Sequence, residues 1–431
     1  MIQDSKKPAA HAAALTPGSP NRTRLACYVS FIVQAIVNNL SPMLFLTFQR
    51  EFGVAVEQIG FLIALNFATQ MLVDGLAIKY AARIGIRRLV LACEICATVG
   101  LLGLAIFPRI LPNPFGGLIL ATILSAIGGG LIEVLISPVL ESLPSDDKAG
   151  SMSFLHSFYC WGQAGVALMS ALFFLAFPRG AWPVLAVIGA LVPAMAFVMF
   201  LRAPFYQLPG DAKPISIRKL VGNRLFPLLF VLMMASGASE ISMAQWASYF
   251  AETGLGVNKA VGDLLGPCAF AIAMGIVRMW YGVRGSNVHL VKALTISGVS
   301  CVACYLLATL ARNPFLSLLG CACAGFTVAL MWPGVLSLSS ERMPEGGTAL
   351  FAALALGGDT GCTLGPLLVS RVTGAVERGS LSGIANWMGG APSAGLKIGL
   401  LTAIVFPILL CIGIMMLRKN HPTVRVNETD S

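Results

Sequence analysis

Charged residues are scarce in this chain. Asp, Glu, Lys and Arg together make up 11% of its 431 residues, whereas 57% are hydrophobic and the mean hydropathy is +0.81. Soluble domains carry about 25% charged residues. The composition therefore excludes an ordinary soluble protein and indicates an integral membrane protein.

Patterns typical of metal sites and of enzymes are missing as well. The chain has four histidines, and its Cys-x-x-Cys pairs at 93–96 and 301–304 lie in apolar segments without a second pair nearby. In such a segment a thiol acts as a small hydrophobic side chain rather than as a zinc ligand. No phosphate-binding glycine loop or nucleophile–base pair is present. We therefore expect a non-enzymatic protein without metal or cofactor, and no ATP-driven step in this chain.

The positive net charge has an explanation that does not involve nucleic acid. The charge is +10, but Lys and Arg concentrate in short loops between apolar segments, where membrane topology rules place them. Loops 79–88 and 278–292, the second with Arg278, Arg284 and Lys292, contribute most. We expect the lipid bilayer, and not nucleic acid, to be the partner of this chain.

Twelve apolar segments follow a polar N-terminal tail, and each can supply the roughly 20 apolar residues of a membrane-spanning helix. The sequence predicts an all-α integral membrane protein. The predicted parts are a tail over 1–24, a six-helix bundle over 25–203, a polar central loop over 204–224, a second six-helix bundle over 225–417 and a tail over 418–431.

The basic residues also predict the orientation in the membrane. Twelve crossings place both termini on one side, and that side carries about 21 of the 29 Lys and Arg residues. The positive-inside rule then makes both termini cytoplasmic. We expect a multi-pass, monomeric protein of the plasma (inner) membrane.

Short motifs recur between the two halves at a nearly constant offset, which indicates an internal repeat. They are Gly130 with Pro138 against Gly325 with Pro333, and residues 161–165 against residues 357–361. Six-plus-six repeats of this kind enclose a central site and work by rocking one half against the other.

Glu133 is the most conspicuous single residue, because it lies in the long apolar fourth segment after a run of three glycines. A charge at the centre of a membrane helix costs roughly 2.5–3.5 kcal/mol. An apolar environment favours the neutral form of a carboxyl group, so Glu133 can exchange protons as a cavity opens and closes. Two other roles are open: accepting hydrogen bonds from solute hydroxyls, and tying together two helices.

Amide side chains form stripes on the first two helices. An amide that faces lipid is left without hydrogen-bond partners, so these stripes are predicted to face protein or a cavity. Both solute binding and bonding between helices remain open for them. The stripes consist of Gln34, Asn38, Asn39 and Ser41 on the first helix and of Asn66 and Gln70 on the second.

Further polar candidates lie on the fifth, seventh and eleventh helices. His156, Tyr159 and Gln163 share one face of the fifth helix; His156 is either a solvated or structural histidine or part of a proton pathway. Glu240 and Asp359 are the buried acids of the second half, and either can carry protons. The remaining solute-binding candidates are Gln245 and Trp246.

The segment from Asp74 through residues 83–88 resembles the signature loop between helices 2 and 3 of the major facilitator superfamily. The resemblance implies twelve helices in two pseudo-repeats. It also implies a conformational clasp in which Asp74 pairs with basic loop residues in one conformer and separates from them in another. The basic candidates are Arg83, Arg87 and Arg88.

A narrower resemblance is to the fucose permease branch of that superfamily, the sugar–proton symporters. It rests on residues 38–42 with residues 48–49, and on the fourth-helix pattern of glycines, Glu133 and Pro138. In that branch the matching glutamate lies at the substrate cavity, and a first-helix aspartate is the second protonation site. Here the position of that aspartate is Pro42.

The expectation is thus a secondary active transporter that moves a small polar solute, a sugar or sugar-like compound, by alternating access and with protons. Two alternatives stay open. One is an exporter of amphipathic or drug-like compounds, which a cavity lined by aromatic and Met side chains would favour. The other is a substrate-sensing receptor, which would be expected to carry a long soluble tail or loop.

Overall fold

The computed structural model of the protein describes residues 19–144, 148–206, 222–284, 288–343, 347–380, 382–388 and 393–420. In this part of the chain the regular structure is helical. Twelve helices are long and apolar enough to cross a membrane, which confirms the predicted number of spans.

The first half contains α1 (Pro20–Phe52), α2 (Val56–Ile84), α3 (Ile86–Ile110), α4 (Pro114–Glu141), α5 (Lys148–Ala176) and α6 (Trp182–Leu201). The second half starts with α7 (Phe226–Tyr249, extended by a π turn, Phe250–Gly254) and α8, in which a π turn (Leu264–Cys268) joins Lys259–Asp263 to Ala269–Arg284. It continues with α9 (Leu290–Leu310), α10 (Pro314–Val328 and Met331–Arg342), α11 (Gly347–Glu377) and α12 (Ser393–Thr402 and Val405–Asn420). A short helix, Ser382–Trp387, lies between α11 and α12.

The helix boundaries follow from local capping chemistry. α1 begins at Pro20, five residues before the predicted boundary, because the Ser19 hydroxyl accepts a bond from the Asn21 N–H and proline suits the first helical turn. The fourth helix of each half begins with the same Asn-Pro-Phe cap. In these caps Asn113 accepts from the Phe115 N–H and Asn313 accepts from the Phe315 N–H.

Glycines at matching positions bring matching helices together in both halves. A Cβ on Gly130 would lie 3.0 Å from the Gln70 Cα, where α4 meets α2. A Cβ on Gly325 would lie 2.2 Å from the Phe270 carbonyl oxygen, where α10 meets α8. The fourth helix therefore packs on the second helix in each half, as a six-plus-six repeat requires.

The second repeated motif supplies a test of this packing. A Cβ on Gly361 would lie 1.9 Å from the Met234 backbone oxygen, whereas one on Gly165, the corresponding residue of the first half, meets nothing within 4 Å. Gly361→Ala is expected to destabilise the protein by about 1–3 kcal/mol, because α7 and α11 must move apart. Gly165→Ala should be neutral or slightly stabilising. Melting temperatures in detergent measure both, and equal values for the two variants would contradict the packing.

The halves are joined on the side of the bundle opposite the termini, which we call the distal face. There the Tyr249 hydroxyl donates to the Gln49 side-chain oxygen at 2.8 Å, and the Ser170 hydroxyl donates to Asp263 at 2.8 Å. Two ion pairs, Arg179–Glu252 and Arg378–Glu57, also connect the halves. These contacts hold the distal face together in this conformation.

Candidate functional site

A cavity of about 160 Å³ lies between the two halves, and each half supplies seven of its lining residues. The first half contributes Phe31, Gln34, Asn38, Phe67, Glu133, His156 and Tyr159. The second half contributes Gly237, Glu240, Ile241, Arg278, Trp332, Asp359 and Cys362. The cavity thus draws on both halves, as the repeat predicted.

Glu133 reaches this cavity and is held there by one amide. The Gln34 side-chain N–H₂ donates to the Glu133 carboxylate at 2.9 Å. Glycines one turn earlier let α4 pack closely on its neighbours: a Cβ on Gly128 would lie 2.7 Å from the Ala97 backbone nitrogen. The Gln34–Glu133 pair therefore presents hydrogen-bonding groups to the cavity from two helices.

Asn38 is the centre of an amide network. Its side-chain oxygen accepts from Asn66 at 3.0 Å and from Gln70 at 2.7 Å. Its backbone oxygen accepts from Gln245 of the second half at 3.0 Å. Asn66, Gln70 and Gln245 bond between helices in this conformation and lie outside the wall of the central cavity. Asn38 itself faces the cavity.

A second cavity of about 20 Å³, on the distal side of Asn38, is lined in part by Ser41, Asn66 and Gln245. It has room for about one water molecule. Asn38 lines both cavities. The amide network therefore separates the central cavity from the distal side.

Other candidates are buried away from the central cavity. Asn39 bonds to the Ala35 backbone oxygen of its own helix at 2.9 Å, and Gln163 is buried without lining the cavity. The Trp246 ring is fully buried and donates to the Pro366 backbone oxygen at 3.3 Å. In this conformation these three residues are part of the packed interior.

On α5, His156 and Tyr159 both line the cavity. The His156 imidazole packs edge-on against the Phe31 ring, with 5.2 Å between ring centroids. Tyr159 lies beside Asn38 and Asn39. The fifth helix therefore contributes one imidazole and one phenol to the wall of the central cavity.

Glu240 forms an ion pair with Arg278, a residue predicted to lie in a loop. Arg278 lies within α8, six residues before its end, and its guanidinium donates to the Glu240 carboxylate at 2.8 Å. The same guanidinium contacts the Ala329 carbonyl oxygen at 3.4 Å and the Cys160 sulfur at 3.7 Å. Arg278 is a cavity residue, and its assignment to the charged loop was wrong. The sequence feature that could have identified Arg278 as a cavity residue is Glu240, a buried acid that needs a cationic partner.

Asp74 does not form the expected clasp in this conformation. It lies ten residues before the end of α2, about 15 Å along the helix, and it is 5% exposed. Arg83 and Arg88 are exposed at the terminal side. Arg87 donates to the Leu201 carbonyl oxygen at 2.8 Å. The helix extends too far for the carboxylate to meet the loop, so Asp74 belongs to the interior.

The cavity combines polar groups with aromatic rings. Its wall holds three carboxyl groups, one guanidinium, two amides and the ring systems of Phe31, Phe67, Tyr159 and Trp332, and no methionine is among the lining residues. Within the described part of the chain, no three His, Cys, Asp or Glu side chains are grouped as metal ligands. The arrangement is suited to binding a small polar solute by hydrogen bonds and ring contacts.

Comparisons with known proteins agree with this architecture. The sequence model of the Major Facilitator Superfamily matches residues 26–366. No curated protein sequence is significantly similar to this chain.

Solved structures share the fold at low identity. A bacterial homolog of the human lysosomal transporter Spinster, in an inward-facing and occupied conformation, has a TM-score of 0.71 and 14% identity, covering 94% of this chain and 98% of its own. A D-xylose–proton symporter has a TM-score of 0.68 and 12% identity, with coverages of 90% and 97%. The nucleoside transporter NupG has a TM-score of 0.70 and 13% identity, with coverages of 92% and 99%. At such identities the likeness shows the fold alone.

Proposed function

The chain belongs to the Major Facilitator Superfamily and is a secondary transporter, and on that premise we propose that its solute is a small hydroxyl-rich compound, a sugar or sugar-like molecule. The observation that carries the proposal is the Gln34–Glu133 pair in a cavity that also holds aromatic rings. A sugar hydroxyl both donates and accepts, so a carboxylate beside an amide can bind two neighbouring hydroxyls.

The rest of the wall supports the same class of solute. Tyr159 and Trp332 offer aromatic surfaces to the apolar face of a sugar ring. Asn38 adds an amide whose side-chain oxygen is already oriented by two hydrogen bonds, from Asn66 and Gln70. A solute with hydroxyl groups on its edge and carbon–hydrogen bonds on its face therefore matches the wall.

We also propose that transport is coupled to protons. Arg278 pairs with Glu240, which leaves Glu133 and Asp359 without an ion-pair partner among the described residues. An unpaired carboxylate within the membrane-spanning part of the protein is costly, and binding a proton removes its charge. Glu133 and Asp359 are the first candidates, and His156 is close enough to the same cavity to take part.

The orientation and the membrane are part of the proposal. The basic residues of the terminal side support cytoplasmic termini in the plasma (inner) membrane. We propose a monomer, because one chain already encloses a cavity between its halves. The distal face, closed here by contacts between the halves, is then the external face.

A thermal-shift screen tests the solute class. We expect fucose or xylose to raise the melting temperature of the purified protein more than a nucleoside or a lipophilic cation does, because the wall pairs hydroxyl-binding groups with aromatic rings. Stabilisation by the lipophilic cation alone would favour an exporter of amphipathic compounds and contradict the sugar assignment.

Two amides on α1 provide a matched pair of variants for that screen. Gln34→Leu removes a cavity hydrogen bond and is expected to weaken sugar binding at least about tenfold, or about 1.4 kcal/mol. Asn39→Leu removes an amide that does not line the cavity and that donates to the Ala35 backbone oxygen of its own helix, so sugar affinity should stay within about twofold of wild type. Equal losses in both variants would place the sugar elsewhere.

A further inference from the structure

Among the described residues, three buried carboxylate oxygens lack a hydrogen-bond partner: Asp74 Oδ1, Glu94 Oε2 and Asp359 Oδ2. The other oxygen of Glu94 accepts from the Ser30 hydroxyl, so the oxygens of Asp74 and Asp359, one in each half, are considered together. Each of the two residues is only 5% exposed. An unsatisfied buried polar atom is costly, so these two oxygens need a ligand that the protein itself does not provide.

Both oxygens lie at the same level of the interface between the halves. The Thr360 hydroxyl of α11 is 3.7 Å from the Met71 sulfur of α2. Asp359 adjoins Thr360 and Asp74 lies one turn after Met71, so the two acids are on helices in direct contact.

Glu133 completes this group of acids. A Cβ on Gly130 would lie 3.1 Å from the Asp74 carboxylate, and Glu133 follows Gly130 by one turn on α4. Glu133 and Asp359 also line the same cavity. Three carboxyl groups from three helices therefore share one region.

No described cation forms an ion pair with the aspartates, although Arg278 and His156 line the same cavity as Asp359. α1 presents the amide of Asn38 to α2, α4 presents Glu133, and α7 presents Glu240, whose charge is already balanced by Arg278. Cys362 is the other ionisable group beside Asp359 on α11. Neighbouring carboxyl groups that are removed from bulk water and have no ion-pair partner disfavour the state in which both are ionised.

We propose that Asp74 and Asp359 form a proton-binding pair that bridges the two halves. This inference rests on the proposed proton coupling and locates the proton-binding site at these two residues. One proton held between the carboxyl groups neutralises part of their repulsion while α2 and α11 are in contact. When the halves part at this level, water reaches both groups and the proton leaves to solvent.

Infrared spectroscopy tests this site without any solute. Difference spectra of purified protein between mildly acidic and mildly alkaline buffer report the C=O stretch of protonated carboxyl groups. We expect Asp74→Asn and Asp359→Asn each to remove the same band, because the proton is shared. Glu94→Gln, which changes a buried acid that contacts Ser30 instead, should leave that band in place.

A transport measurement then separates the site from the solute assignment. In proteoliposomes with labelled fucose or xylose, an imposed pH gradient should raise accumulation at least about tenfold in wild type and Glu94→Gln, equivalent to a free-energy difference of about 1.4 kcal/mol. It should have no effect in Asp74→Asn, and Asp74→Glu should restore it. Infrared spectra of both Asn variants identical to wild type would overturn the proton pair. If wild type shows the shared band but takes up neither sugar, the solute assignment fails and the proton pair stands.

Discussion

Glu133→Gln is expected to abolish proton-driven accumulation of the solute. Glutamine has the same shape, but it carries no charge and cannot bind a proton at neutral pH. The Gln34 amide, which donates to the carboxylate at 2.9 Å, then faces another amide. A hydrogen bond from a solute hydroxyl to a charged carboxylate contributes about 1.5–3 kcal/mol. Loss of the charge on Glu133 should therefore also lower solute affinity by roughly 10- to 150-fold.

The measurement is accumulation of labelled sugar in proteoliposomes with and without a pH gradient. Glu94→Gln is the matched control, because Glu94 is also a buried acid of the first half but bonds to Ser30 outside the cavity. Unchanged uptake and unchanged pH dependence in Glu133→Gln would show that Glu133 has a structural role only.

Arg278→Gln is expected to cause the largest loss of stability of any cavity substitution. The Arg278–Glu240 pair joins two helices of the second half at 2.8 Å, with side-chain exposures of 20% and 10%. Removing one partner of a buried ion pair leaves an uncompensated charge and costs about 3–5 kcal/mol. The melting temperature of Arg278→Gln in detergent should therefore fall well below that of wild type.

The double variant Arg278→Gln/Glu240→Gln supplies the control for this prediction. It removes both charges, so most of the lost stability should return, as expected when an entire buried pair is replaced by neutral groups. A double variant that melts no higher than Arg278→Gln would show that the guanidinium stabilises the protein through contacts other than Glu240. The candidates are then the Ala329 carbonyl oxygen and the Cys160 sulfur.

Much of the fold could be predicted because the membrane imposes a length on each helix. About 20 apolar residues are needed per crossing, and the twelve predicted segments correspond to the twelve spanning helices. The repeated Gly130 and Gly325 also had a physical meaning, because each lies where two helices approach closely. Spacing and hydropathy were sufficient for these features.

The ends of helices were harder to predict. α2 continues to Ile84 and stops at Gly85, which has a φ of 92° that favours glycine. Asp74 therefore lies inside the membrane helix instead of beside the loop. Similarly, α8 contains a π turn and extends to Arg284, which makes Arg278 a cavity residue. An arginine near a helix end has the same local sequence signature in either place.

The site was only partly predictable, because its residues come from eight helices. Gln34 and Asn39 are both amides on α1, yet one faces the cavity and the other bonds to Ala35. Successive helix positions differ by about 100° around the axis. A stripe of amides therefore identifies the polar side of the helix but not which of those amides line the cavity. Packing against α4 and α5 decides which amide reaches the cavity.

We propose that a hydroxyl-rich solute moves through the cavity between the halves together with protons. Accumulation of labelled fucose or xylose in proteoliposomes under an imposed pH gradient tests this proposal. We expect accumulation above the external concentration, and we expect it to collapse when the gradient is dissipated. Uptake no greater than in protein-free liposomes, for both sugars and with the protein shown to be folded, would contradict it.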